Sequence, residues 1–224
     1  MPSRAGDVSS FVPLQFGPSE DFYAYPRDEA RDVEILITAG SDLLYVPSGD
    51  EMYPPGFSTT VHVADLTADL CGAARPNHFD GVATVVTKLL LQCAPDIAVF
   101  GEKDFQQLLV IRQMVRDLNM HIDIIGGPTV REPDGLAMSS RNTYLSKEQR
   151  QSALSLYRSL LTAREMVKEG ERLVDVLLDK AKEIIEAEPY CKIQYLQVVD
   201  EDTMTDIAEV TPKAVMAMAV FVGK

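Results

Sequence analysis

Apolar and polar positions follow two rhythms along the chain. In the first half, short apolar runs of strand length alternate with stretches where apolar residues recur every three or four positions. Residues 28–39 fit a helix and 42–46 a strand closed by Pro47, Ser48 and Gly49. Tyr53-Pro54-Pro55-Gly56 reads as a rigid turn, with residues 58–63 extended after it, and residues 72–79 as an irregular loop carrying Arg75 and His78. A helix over about 81–93 would bury Val82, Val85, Val86, Leu89, Leu90 and Cys93. Ile97, Ala98, Val99 and Phe100 form a continuous apolar run, as expected of a strand covered on both faces. From Lys103 the rhythm becomes helical, with Leu108, Ile111, Val115 and Leu118 on one stripe, and residues 121–125 read as another strand. Strand, helix and strand in this alternation predict a parallel α/β sheet.

Beyond Gly126-Gly127-Pro128 the pattern changes. Residues 130–142 are polar and broken by Gly135; Ser146 and Gln149 form a capping box that opens a long helix. Ala153, Leu156, Tyr157, Leu160 and Val167 would line its buried face, and Gly170 would end it. A second helix over about 173–188 and strands at 193–199 and 214–222 complete a small α+β unit. At the other end, residues 1–10 are pattern-free and read as a loose start; 11–16 are apolar apart from Gln15. The expected organisation is a parallel-sheet α/β domain followed, after about residue 128, by a small α+β domain.

The 224 residues, 46% hydrophobic and 25% charged, are those of a globular protein with ample core. A net charge of −13 argues against a general nucleic-acid or anionic-membrane binder and requires any anionic substrate to meet a local basic pocket. The three cysteines, odd in number and far apart, fit a reducing compartment, and the three scattered histidines form no metal-ligand pattern. The longest apolar run is too short to span a bilayer, and the start lacks a signal-type apolar core, so a cytoplasmic location is expected.

Two stretches carry candidate chemistry. At Phe100-Gly101-Glu102-Lys103-Asp104-Phe105-Gln106-Gln107 a strand turns into a helix; Gly101 would let the backbone turn tightly. Free amides at such a helix start, beside Lys103, suit phosphate. Asp104 could accept from ribose hydroxyls, and Gln107 would face the same crevice. An ordinary solvated first turn explains this stretch equally well when it is taken alone. In the second, residues 135–142, Ser139 and Ser140 precede Arg141 on a loop, a grouping able to bind phosphate oxygens and neutralise developing charge. A common Ser-rich turn is the simpler account of that stretch by itself. Facing each other across one cleft, the two stretches reinforce one another. Neither GxxxxGK[ST] nor GxGxxG nor GxSxG occurs.

Gln15 with Tyr25-Pro26-Arg27, residues 75–82, FGEKDFQQ over 100–107, and residues 134–142 with Tyr144-Leu145 together resemble the pantoate–beta-alanine ligase (pantothenate synthetase) family, over about residues 11–222. The resemblance implies a nucleotidyltransferase-superfamily α/β fold, with a Rossmann-like parallel-sheet domain over residues 1–128 and a small α+β lid domain over 129–224, and a two-step reaction. ATP and pantoate would give pantoyl adenylate with Mg²⁺, and beta-alanine would then displace AMP to form pantothenate. It further implies that Gln15 and Gln107 hold pantoate, that Gly101 and Asp104 hold the adenosine, and that Lys103 meets the ATP phosphates. Ser139, Ser140 and Arg141 would close on those phosphates and share the catalytic role with Lys103, while Val130 and Met138 would lie near the nucleotide. No protein metal ligand is implied, and a homodimer is. A cofactor or sugar-nucleotide adenylyltransferase of the same superfamily fits the motif wording less well.

The resemblance has gaps. The family's first strand, ending in a Met-Gly turn, and its HxGH motif have no counterpart here, nor has the Asn before the Pro that precedes Gln15. The final RLxDN strand is also missing. The expectation is therefore a sheet incomplete at its N-terminus, with strand edges left unpaired. A non-catalytic relative that binds ATP or pantoate, or pairs with an intact subunit, is the alternative.

Overall fold

The computed structural model describes residues 6–8 and 29–223; residues 11–16, with Gln15, lie outside them. The first unit contains β1 (Gly6–Val8), α1 (Glu29–Ala39), β2 (Leu43–Tyr45), α2 (Gly49–Met52), α3 (Cys71–Ala74), α4 (His78–Cys93), β3 (Ile97–Gly101), α5 (Phe105–Asp117) and β4 (Asp123–Gly127). The second contains α6 (Lys147–Lys168), α7 (Val174–Glu186), β5 (Cys191–Asp200) and β6 (Ala214–Val222). Among the described residues, β1 pairs with β2 and β3 with β4, both parallel, while β5 and β6 form an antiparallel hairpin. This is the expected α/β class. The loose start is corrected at Gly6–Val8, where three residues too few to carry a periodicity join Leu43–Tyr45 in a parallel ladder.

The main core lies between α4, α5 and one face of β3–β4. Val82, Val85, Val86 and Leu90 from α4 meet Val110, Ile111, Met114 and Val115 from α5, with Ala98, Phe100 and Ile124 of the strands packed against them. Each such fully buried side chain contributes about 1.5–3 kcal/mol, several times the worth of a surface ion pair. Apolar periodicity therefore decides how these helices dock. Three expectations need adjusting. Cys93 is exposed because the helix ends there, with Ala94 in a left-handed conformation. Leu118 is exposed because α5 stops one residue earlier. Most consequentially, among the described residues β3 is not covered on both faces. Ile97, Val99 and Ile125 are exposed while Ala98 and Phe100 turn inward, so a continuous apolar run conceals an alternating strand.

Other departures have local causes. Residues 58–63 join no strand; the Val61 amide instead donates to Thr84 Oγ1 at 2.9 Å, tying the segment to α4. Ser48 does not merely close a strand, since with Glu51 it forms a capping box that starts α2. The stretch at 72–79 is largely helical, contributing to α3 and α4.

In the second unit, the predicted capping box starts α6: Ser146 Oγ accepts from the Gln149 amide at 3.2 Å, and Gln149 Oε1 accepts from the Ser146 amide at 2.9 Å. The buried stripe of α6 is made chiefly of Ser152, Ala153, Ser155, Ser159 and Ala163, with Leu156, Tyr157, Leu160 and Val167 only partly buried. Small residues allow close approach, and the buried hydroxyls have partners: Ser152 donates to Glu188 Oε2 at 3.0 Å and Ser159 to the Leu156 carbonyl at 2.8 Å. The two units share a small apolar cluster. Leu70 meets Val199 and Met204 there, with Phe105 and Leu109 of α5 and Tyr195 of β5 around them. Leu70 and Met204 both have positive φ (52° and 57°), uncommon for such side chains and held here by their burial.

Leu70→Ala should lower the urea unfolding free energy by about 2–5 kcal/mol through the cavity it leaves; a loss below about 1 kcal/mol would show that the cluster contributes little packing. A second expectation concerns acid. The Arg158 guanidinium and the Ser152 hydroxyl hold the Glu188 carboxyl below its ordinary 4.5. Its contribution to stability is therefore complete above pH 4.5 and lost as pH falls through the depressed folded value. Melting temperatures measured between neutral pH and pH 3 should fall less steeply in Glu188→Gln, and parallel curves would remove this residue from the acid response.

Candidate active site

The site is set by where two parallel strands end. The β3–β4 ladder closes with Phe100 opposite Gly126 and Gly101 opposite Gly127, so the chain leaves both strands at one carboxyl edge. In open α/β sheets the crevice outside that edge is where ligands bind. From Gly101 the chain enters a 3-10 turn, Glu102–Asp104, and then α5; from Gly127 it enters the loop carrying Val130 and Met138 to Arg141.

On the β3 side, Gly101 has an extended backbone (φ −71°, ψ 137°), so a tight turn is not what calls for glycine there. A Cβ at Gly101 would meet nothing within 4 Å, which leaves open space beside the strand end. Lys103 and Asp104 both project outward, with Nζ and Oδ1 3.5 Å apart. Asp104 occupies the N-cap of α5 but makes no side-chain cap bond, so its carboxylate does not occupy the first amides of the helix. Gln107 is half-buried at the start of α5.

Its neighbour Gln106, which sequence patterning leaves unassigned, is buried and fully used. Its amide nitrogen donates to the Leu66 and Asp69 carbonyls, both at 2.9 Å, and its oxygen accepts from the Cys71 amide at 3.0 Å. Gln106 thereby fastens residues 66–71 to α5 and brings α3 and Arg75 towards the Lys103 turn. Arg75 Nη1 lies 3.0 Å from His78 Nε2. A guanidinium can only donate, so in this contact Nε2 is the acceptor. Tyr195 reaches the same region from β5. Burial first, then the charges of Cys71 and Asp104, push its phenol up to about 12, with Arg75 opposing.

On the β4 side a short hairpin forms. Arg131 bridges Ala137, and the Met138 amide donates to the Val130 carbonyl at 2.9 Å. Val130 and Met138, both singled out by the resemblance, are thus neighbours, and both are exposed. Gly135 turns the hairpin at φ +94°, where a Cβ would fall 2.5 Å from the Tyr157 ring that Arg131 stacks on at 3.9 Å. Ser139 Oγ accepts from the Arg141 amide at 3.3 Å at the start of a 3-10 turn, Ser140–Tyr144; Ser140 and Arg141 are exposed. Among the described residues no three Asp, Glu, His or Cys side chains form a metal site, and no helix is long and apolar enough to cross a membrane.

The family model for pantoate-beta-alanine ligase matches residues 7–224 of the chain. A pantothenate synthetase from Ruminiclostridium cellulolyticum is 52% identical over 217 residues, which is 96% of this chain and 77% of that protein. The crystal structure of a pantothenate synthetase from Thermus thermophilus superposes with a TM-score of 0.91 at 47% identity, covering 96% of this chain and 81% of that one. A pantoate-beta-alanine ligase from Francisella tularensis, solved with Beta-gamma ATP and beta-alanine, has a TM-score of 0.70 at 26% identity, covering 98% of this chain and 89% of that one. With the parallel strand ends and both motif stretches in place, these matches make the chain a member of the pantoate–beta-alanine ligase family.

Proposed function

We propose that this protein condenses pantoate with beta-alanine, using ATP, to form pantothenate through a pantoyl-adenylate intermediate. The observation that carries the reading is the shared exit of the Lys103 turn and the Ser139–Arg141 loop from the Gly101–Gly127 edge of one parallel pair. In the first step a pantoate carboxylate oxygen bonds to the α-phosphorus while the bond to the β-phosphate oxygen breaks, releasing pyrophosphate. In the second the beta-alanine nitrogen attacks the acyl carbon, loses a proton, and AMP leaves with the bonding pair. No protein nucleophile is required, so acceleration comes from holding two anions in line and neutralising charge on the phosphate.

The roles are those the family resemblance implies, and the exposed positions of Lys103, Asp104, Ser140 and Arg141 support them. Lys103 carries positive charge to the phosphates, Gly101 leaves space for the adenosine and Asp104 accepts from its ribose. Val130 and Met138 offer an apolar ledge to the nucleotide, and Ser139, Ser140 and Arg141 meet the triphosphate from the opposite wall. Gln107 and Gln15 bind pantoate. Mg²⁺ would be held chiefly by the phosphate oxygens of ATP, hard oxygen donors that suit its octahedral preference. Residues 129–224 are assigned as the lid over residues 1–128. A homodimer is carried by the resemblance alone. A cytoplasmic location rests on three free cysteines in a chain of this size.

Pantoate-dependent exchange of labelled pyrophosphate into ATP, without beta-alanine, tests the first half-reaction directly. Exchange that requires pantoate is expected; its absence would favour the non-catalytic reading. Lys103→Ala should reduce exchange by about 100-fold or more with the fold intact, as for loss of a group stabilising transition-state charge. Unchanged turnover would remove Lys103 from the phosphates. Arg141→Ala should lower kcat much more than it raises KM for ATP, and an equal effect on both would assign it to ground-state binding instead.

A further inference from the structure

One carboxylate joins every part of the hairpin that presents Ser139–Arg141. Glu132 uses its backbone twice, its amide donating to the Leu136 carbonyl at 2.8 Å and its carbonyl accepting from the Gly135 amide at 2.8 Å. Its side chain is also shared. Arg150 on α6 donates to Glu132 Oε2 at 2.7 Å and to Oε1 at 3.3 Å, and the same guanidinium reaches Asp134 Oδ2 at 2.7 Å. Asn142 Nδ2 donates to Glu132 Oε1 at 3.0 Å and to the Ala137 carbonyl at 3.0 Å. Hairpin, 3-10 turn and α6 therefore converge on one side chain, which remains about one-third exposed (30%).

Asn142 directly follows Arg141, and its backbone amide donates to the Ser139 carbonyl at 3.0 Å. Fixing the Asn142 side chain fixes both ends of the Ser139–Arg141 segment relative to α6. We infer that Glu132 is a positioning residue for adenylate formation: by joining Arg150 to Asn142 it sets where Ser139 and Arg141 stand when the phosphates arrive. This rests on the function proposed above. It gives Glu132 no contact with substrate; it acts through Asn142.

A glutamine at this position keeps the size and loses the two-sided acceptor. Arg150 and Asn142 both donate, so an amide –NH₂ must face one of them, and that donor loses its partner. A small misplacement of reacting groups can cost on the order of 100-fold in rate. In Glu132→Gln, pantoate-dependent pyrophosphate exchange should fall by about 10- to 100-fold, with KM for ATP nearly unchanged. The second half-reaction, beta-alanine with preformed pantoyl adenylate, should keep its rate, because the loop acts on phosphates that have already left. Independently of activity, trypsin should cut after Arg141 several-fold faster at an unchanged melting temperature.

Exchange and cleavage both equal to those of the unsubstituted protein would overturn the inference. So would an equal loss in both half-reactions with a lowered melting temperature, which is the mark of general weakening. Should Glu132→Gln fail to fold, Asn142→Ala removes the same link and carries the same expectations. If the unsubstituted chain shows no exchange at all, the proposed function falls, while the cleavage rates still decide whether Glu132 orders the loop.

Discussion

The arrangement depends on a single register. Because β3 and β4 run parallel and their ladder ends at Gly101 opposite Gly127, the chain leaves the sheet twice at the same edge. Slip that pairing by one residue and the Lys103 turn moves along the strand relative to the Val130 hairpin, while Ala98 and Phe100 exchange faces with Ile97 and Val99. The core opposes such a slip, since Ala98, Phe100 and Ile124 are packed on α4 and α5. Site geometry and hydrophobic burial are thus enforced by the same contacts. This is why a protein with a net charge of −13 can still present its Lys103 and Arg141 stretches from one edge: the backbone brings them there, and overall electrostatics does not.

Much of this is legible from patterning because the signals are local and long enough to be read. The 3.6-residue stripe of α4 and α5, the Ser146–Gln149 box and the hairpin strands need no distant information. What escapes is decided by tertiary partners. β1 is three residues long and owes its existence to β2. The stripe of α6 departs from the expected leucines because packing favours serines that can reach Glu188 or a carbonyl. The exposure of Val99 and Ile97 is hidden because an uninterrupted apolar run carries no sign of which face is covered.

For the site, the two stretches with chemistry stand out through unusual residue combinations, and each is ambiguous in isolation. The structure adds the residues that hold them. Gln106 sits beside Gln107 in one motif, yet nothing in its spacing says that its amide satisfies three backbone groups of a loop more than thirty positions earlier. Arg150 reads as a plain helix-surface cation until Glu132 and Asp134 are placed beside it. Supporting groups are hard to find in a sequence because their partners are remote and their chemistry is ordinary. Tyr195, arriving from the last hairpin, belongs to the same class.

The apolar cluster at Leu70 limits how the second unit can move. Swinging that unit away as a rigid body would expose Leu70, Val199 and Met204, each worth about 1.5–3 kcal/mol of burial. Bending the chain at residues 138–144 exposes none of them. The cheaper motion is therefore a local one, a finger flexing against a fixed palm: β5 and β6 stay seated on α5, and what resists the bend is the polar Glu132–Asn142 link rather than buried apolar surface.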